Sequence, residues 1–299
     1  MPGMGKDLAE GFAEAREVFA AADDVLGFGL SQLCFDGPAD QLMLTMNAQP
    51  ALLTHGAAVW AVVRDRIGGS VVAAAGHSLG EFTAYHSADA LALPEAVALV
   101  RMRGELMFAE GEARPGGMAA ILGDMDISGD ELCRLAATDG VVVPANYNCP
   151  GQLVISGEVA CVERAMLLAK EHGAKRAIRL NVSGAFHSPL LAQAAAGLAS
   201  ALERAHLANP RFKVYANVNA QPVMDAALAR RLLVEQLTAP VQWTREIESI
   251  AAVHPDALYI EMGPGSVLKG LVKKIAPTLT VVTCGTRAEV DALITMVAS

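Results

Sequence analysis

Ser78 stands in the run Val71-Val-Ala-Ala-Ala-Gly76-His77-Ser78-Leu79-Gly80-Glu81, an apolar stretch that breaks at a Gly-x-Ser-x-Gly turn. Glycines on both sides let the chain reverse sharply, so a strand can feed a helix while the serine hydroxyl stands exposed at the strand end. The helix that follows presents its positive N-terminal end, and the Leu79 N–H is placed to hydrogen-bond an oxyanion. These are parts of serine acyl transfer: a hydroxyl nucleophile and a donor for the charge that develops on the attacked oxygen. A Ser-Gly turn that merely caps a helix is the bland alternative. The strand before it and the helix after it favour the chemical reading.

A serine nucleophile needs a base, and the chain has seven histidines. His77 adjoins Ser78, but neighbours on a tight turn point apart. His86 falls on the helix leaving the turn, and His55 lies in an apolar helix, as a core histidine would. His172, His206 and His254 each sit near an expected helix C-terminus, where an imidazole complements the dipole. His187 differs: it follows Gly184-Ala-Phe186 and precedes Ser188-Pro189, on a loop between a strand and a helix start, where catalytic groups concentrate. On position alone, a catalytic role and a bland loop role weigh evenly. Arg101 and Arg103 lie two apart on one helix, so only one can face the turn. An inward Arg103 lacking an Asp or Glu would hold a substrate carboxylate; an outward one would make a surface ion pair.

The elements that must position these groups alternate between strand and helix patterns. Leu8, Phe12, Ala15 and Phe19 form one apolar helix face, Pro50 fits a first helical position ahead of a buried helix to Val63, and Pro94 starts the helix bearing the arginines. Residues 116–183 read β-α-β-β-α-β, a ferredoxin-like signature inserted into a larger α/β unit formed by residues 1–115 and 184–299. Ser188 and Pro189 open a helix to His206. Strands are expected at Phe212–Asn217, Ala257–Met262 and Leu279–Cys284. The fold class is α/β: a mainly parallel sheet with flanking helices, α/β-hydrolase-like, plus the inserted α+β unit. Gly263-Pro-Gly265 lacks the last glycine of a nucleotide-binding G-x-G-x-x-G and reads better as a strand-to-helix turn.

Several ordered motifs together resemble the malonyl-CoA:acyl carrier protein transacylases of fatty acid synthesis and the related acyltransferase domains of polyketide synthases. They are Gln49-Pro-Ala-Leu-Leu53, Gly76-His-Ser-Leu-Gly-Glu81, Met102-Arg-Gly104, Asn146-Tyr-Asn148 with Pro150-Gly-Gln152, Gly184-Ala-Phe-His187, Gln236-Leu with Pro240-Val-Gln-Trp243, and Glu261-Met-Gly-Pro-Gly265. The resemblance implies that Ser78 attacks a malonyl thioester, His187 takes its proton, Leu79 N–H binds the oxyanion and Arg103 clamps the malonyl carboxylate. It also implies that the main-chain carbonyl of Gln236 orients His187 in place of an acid, with Asp89, Asp124 and Asp126 still open as alternatives. The Ala185-Phe-His-Ser188 form resembles the malonyl-selecting variant of the polyketide relatives, which implies malonyl over methylmalonyl. Malonyl-CoA and acyl carrier protein are the implied partners, with the coenzyme A thioester as substrate and no bound cofactor or metal. Members of this family open with a strand and a glutamine-bearing loop that Met1-Pro-Gly-Met-Gly5 does not match, which predicts a weaker oxyanion site and lower stability. A serine esterase or thioesterase, or an impaired carrier-docking protein, would share Ser78 and His187.

With 53% hydrophobic and 18% charged residues the chain can bury a large core. Its net charge of −9 argues against nucleic acid. Five scattered cysteines without a C-x-x-C pair fit reduced thiols in a cytoplasmic setting. No run is long enough for a membrane span. Lys269, Lys273 and Lys274, and Lys175, Arg176 and Arg179, are candidate docking groups for an acidic carrier.

Overall fold

The computed structural model describes residues 2–182 and 184–298. Met1, Ser183 and Ser299, which close the expected ranges, lie outside the described residues.

Two long helices, Thr45–Ile67 and Leu93–Ala113, form the centre of the larger unit. Leu53, Val59, Val63, Val97 and Val100 are all fully or almost fully buried there, each contributing roughly 1.5–3 kcal/mol by leaving water. The helices touch closely at Gly104, where a Cβ would stand 2.6 Å from Met46 Cα and 2.8 Å from Thr45 O. That contact needs glycine, and it brings the neighbouring Arg103 onto the first helix.

Pro50 does not begin its helix as expected; it lies inside Thr45–Ile67. Lacking an N–H, it leaves the Met46 carbonyl without its helical partner, and Arg101 Nη1 donates to that oxygen over 2.9 Å. The opening helix is also divided, into Lys6–Gly11 and Ala13–Leu26, because Phe12 adopts extended angles.

Nine strands are present among the described residues: β1 Ala73–Ala74, β2 Gly116–Leu122, β3 Val142–Cys149, β4 Gln152–Glu158, β5 Arg176–Arg179, β6 Lys213–Tyr215, β7 Pro222–Val223, β8 Leu258–Met262 and β9 Thr280–Cys284. They make a mixed α/β protein, but not the single, mainly parallel sheet expected. Three small sheets occur instead: β1-β6-β7, β3-β4-β2-β5 and β8-β9. β1 runs parallel to β6 and β8 parallel to β9, while β6–β7 and all pairs of the four-stranded sheet are antiparallel. The apolar run from Val71 to Ala75 forms a ladder only at Ala73–Ala74, where β6 is its one partner. A strand pattern shows which residues favour extension, not how many neighbours will pair with them.

The four-stranded sheet alternates its side chains as a pleat requires. Ala119, Ile121, Leu153 and Ile155 pack with Leu132 and Val162 of helices Gly129–Ala137 and Val159–Glu171. Met118, Ala120 and Val154 turn the other way, toward Phe186. Ser128 caps the first helix by accepting from Glu131 N.

Candidate active site

The turn after β1 depends on Gly76, whose Cβ would fall 2.0 Å from the Gly80 carbonyl carbon. Nothing crowds a Cβ on Gly80, so only the first of the two glycines is sterically required. Ser78 is held at φ 52°, half-buried, at the start of helix Gly80–Ser87. The Leu79 N–H has no hydrogen-bond partner among the described residues.

His187 lies within reach of this serine. Its Nε2 is 2.8 Å from Ser78 Oγ and its Nδ1 is 2.8 Å from the Gln236 carbonyl oxygen. A carbonyl only accepts, so Nδ1 carries the hydrogen and Nε2 is free to accept from Oγ. His187 is itself at φ 56°. Ser188 Oγ fixes the loop by donating to Ala185 O over 2.7 Å and accepting from Leu190 N. The helix that follows starts as a 3₁₀ turn, Pro189–Leu191, and continues as Ala192–Arg204. Burial and the nearby Arg103 charge push the His187 pKa down to about 3, so the imidazole is neutral over the ordinary pH range.

Arg103, not Arg101, points inward, and it is 1% exposed. Its Nη1 donates to Gln49 Oε1 over 2.5 Å, and its Nη2 donates to Ser78 Oγ over 3.1 Å and to Gln236 Oε1 over 3.0 Å. Its Nε has no partner among the described residues. Burial lowers its pKa to about 10, with Glu81 acting in the opposite direction; it remains a cation with no carboxylate hydrogen-bonded to it. Arg101 instead bonds Glu105, Asn47 and the Met46 carbonyl.

Four groups at this site escape a reading of the sequence: Gln49 as a guanidinium acceptor, the side chain of Gln236, Asn217 and Glu246. Asn217 follows β6, whose parallel register pairs Ala74 with Val214; extended past both strand ends, that register sets Asn217 beside the serine turn. A polar residue at the carboxyl end of a strand parallel to β1 is the signal that finds it. Glu81 and Glu246 are both fully buried. Burial raises Glu81 to about 7 and raises Glu246 well above the usual carboxylate range, with Glu81 adding to the latter.

Three other histidines are engaged elsewhere. His77 Nε2 meets Asn148 Oδ1 at 2.8 Å, tying the turn to β3, His86 meets the Leu91 carbonyl, and His172 meets Asp126. Asp89 pairs with Arg211. At the Gly263–Gly265 turn, Glu261 accepts from the N–H groups of Leu268 and Lys269, so a carboxylate of the chain itself occupies the helix end where a phosphate would bind. Arg179 is paired with Glu163, whereas Lys273, Lys274, Lys175 and Arg176 are exposed.

The acyl transferase domain family matches residues 2–290. A malonyl CoA-acyl carrier protein transacylase of Salmonella typhimurium is 42% identical over 98% of this chain and 94% of its own length. The one from Bacillus subtilis is 44% identical over 91% and 86%. Among solved structures, an acyl-carrier-protein-S-malonyltransferase from Bartonella henselae superimposes with a TM-score of 0.94 at 39% identity, covering 100% of this chain and 96% of that one. A malonyl-transacylase in complex with its type II PKS acyl-carrier protein gives 0.93 at 39%, covering 99% and 96%. The chain therefore belongs to the acyl transferase domain family, among the malonyl CoA-acyl carrier protein transacylases.

Proposed function

We propose that this chain moves a malonyl group from malonyl-CoA to the phosphopantetheine thiol of acyl carrier protein through a malonyl-Ser78 ester. Ser78 Oγ attacks the thioester carbonyl while His187 Nε2 takes its proton. The Leu79 N–H and the start of helix Gly80–Ser87 stabilise the oxyanion. The C–S bond breaks, and coenzyme A leaves with the proton from His187. The carrier thiol then gives a proton to His187 as its sulfur attacks the ester, and Ser78 Oγ leaves and recovers the proton, a ping-pong course. The Gln236 carbonyl holds the imidazole in the tautomer that both steps need.

One observation carries the substrate assignment: Arg103 is a buried cation beside the nucleophile with amides and a hydroxyl as partners and no carboxylate. A malonyl carboxylate would complete it with two parallel hydrogen bonds, whereas an acetyl group would not. Incubation with malonyl-CoA followed by intact-mass measurement tests the reading. The expected result is one malonyl adduct that disappears in Ser78→Ala and falls in Arg103→Ala; a wild-type protein without an adduct would overturn it.

The same reading takes 1–115 with 184–299 as an α/β-hydrolase-like body and 116–183 as a ferredoxin-like unit. The strand order β3-β4-β2-β5 and a separate hydrophobic cluster support that division. The coenzyme A thioester is a substrate in this scheme, with no resident cofactor. We place the reaction in the cytoplasm, supported by five cysteines that are all buried free thiols.

A further inference from the structure

Ser78 occupies a backbone region that a residue with a side chain holds only when its surroundings over-determine it. Asn217 grips both limbs of the turn around it. Its Oδ1 accepts from Ser78 N over 2.7 Å, and its Nδ2 donates to Gly76 O over 2.8 Å. The amide is itself anchored: Nδ2 also donates to Glu246 Oε1 over 3.0 Å and Oε2 over 3.2 Å. The Asn217 backbone N–H donates to Glu81 Oε2 over 3.1 Å. Gln236 Nε2 closes the ring by donating to Asn217 Oδ1, Glu81 Oε2 and Ser78 O. Asn217, Gln236, Glu81 and Glu246 are all 0% exposed.

Resting on the reading of Ser78 as nucleophile, we propose that Asn217 is its positioning residue, a buried amide clamp that fixes the serine backbone across the turn, with Glu81 and Glu246 as anchors. The clamp has a second effect. It occupies the Ser78 N–H while the Leu79 N–H stays open to an oxyanion. Asn217 need not touch substrate: its bonds end on the backbone of the turn and on buried side chains. Arg103 keeps Gln49 and Gln236 as partners without it, so malonyl binding and nucleophile placement are separable.

The full chain is treated with diisopropyl fluorophosphate, a neutral reagent that makes no demand on Arg103, and the labelled residue is located by peptide mass spectrometry. In Asn217→Ala the labelling rate of Ser78 is expected to fall by about 100-fold, the loss that a displacement on the order of 1 Å brings. The dissociation constant for malonyl-CoA, measured by calorimetry in a Ser78→Ala background with and without Asn217→Ala, is expected to stay the same. If Asn217→Ala does not fold, Asn217→Asp keeps the shape and loses a donated hydrogen when ionised. Its labelling rate relative to wild type, which shares Glu81, Glu246, Arg103, Tyr85 and His187 around the position, should be low at alkaline pH and recover as the new carboxyl takes up a proton. Labelling at the wild-type rate in Asn217→Ala, or in Asn217→Asp at alkaline pH, overturns the proposal, as does parallel loss of labelling and malonyl-CoA binding. A wild-type protein that the reagent does not label at Ser78 removes the nucleophile reading and this one together; a labelled wild type with unimpaired variants removes this one alone.

Discussion

Arg103 Nη2 donates to Ser78 Oγ over 3.1 Å, and the same nitrogen donates to Gln236 Oε1 over 3.0 Å. The proposed nucleophile and the proposed carboxylate-binding cation are therefore in direct contact, and Gln236 holds two groups of the site: its side chain accepts from Arg103 and its carbonyl accepts from His187.

Replacing Arg103 by Ala should lower the rate of malonyl-Ser78 formation by about 10- to 100-fold, the range for losing hydrogen bonds to a charged group. Acylation by acetyl-CoA should fall less or rise. Parallel time courses with the two thioesters read the ratio, and equal losses for both would deny Arg103 its selecting role.

Ser78→Ala and Ser78→Gly should both lose the adduct, yet differ in stability. The φ of 52° at this position suits glycine and strains alanine, so Ser78→Gly should be the more stable by about 1 kcal/mol or more. Chemical denaturation of the pair measures the difference.

His187 can act as the proposed base only while neutral, and burial holds its pKa down to about 3, below an unfolded value near 6.5. Lowering the pH from 6.5 protonates the unfolded chain before the folded one, so this group draws stability away as the solution acidifies. Ser78 labelling by a neutral reagent should nevertheless persist to about pH 5 in the folded protein. A rate that halves near pH 6.5 would show an imidazole with an ordinary pKa.

Glu81 and Glu246 have the opposite sign. Their folded pKa values are raised, Glu81 to about 7, so the folded state retains protons that the unfolded state releases. Stability is lost as pH rises from about 4.5 through 7. Glu246→Gln removes one ionisation and should lose less melting temperature than wild type between pH 5 and pH 8, as calorimetric scans at both pH values would show.

Gly104→Ala introduces a Cβ 2.6 Å from Met46 Cα. The helices must separate, at about 1–3 kcal/mol for overpacking, and Arg103 moves off Gln49 with them. Loss of malonyl preference together with lowered stability is the expected pair of effects; unchanged preference would uncouple the helix contact from the site.

The serine turn was legible because its chemistry is local: Gly76, Ser78, Leu79 and the helix start are adjacent in sequence. Loop position left His187 evenly balanced and helix spacing left Arg101 and Arg103 both open; the family resemblance pointed to His187 and Arg103, and the structure brings both to Ser78. Asn217 was hidden, since an asparagine ending a strand pattern looks like a turn residue until the β1–β6 register shows what it faces. The mainly parallel sheet is met only in part, at the β1–β6 and β8–β9 pairs, for a related reason. Runs such as Val71–Ala75 reveal preference for extension, while pairing is decided by strands remote in the chain. Pro50 was misplaced because a proline inside a helix is tolerated once another donor, here Arg101, takes the freed carbonyl.

β5 pairs with β2, and the chain then runs through Gly184-Ala-Phe186 to His187. The imidazole is thus carried on a chain that leaves a strand on a different sheet from the one that presents the serine. Chimaeras that exchange the segment between β2 and β5 among relatives would keep their activity only where the donor segment returns the chain at the same height.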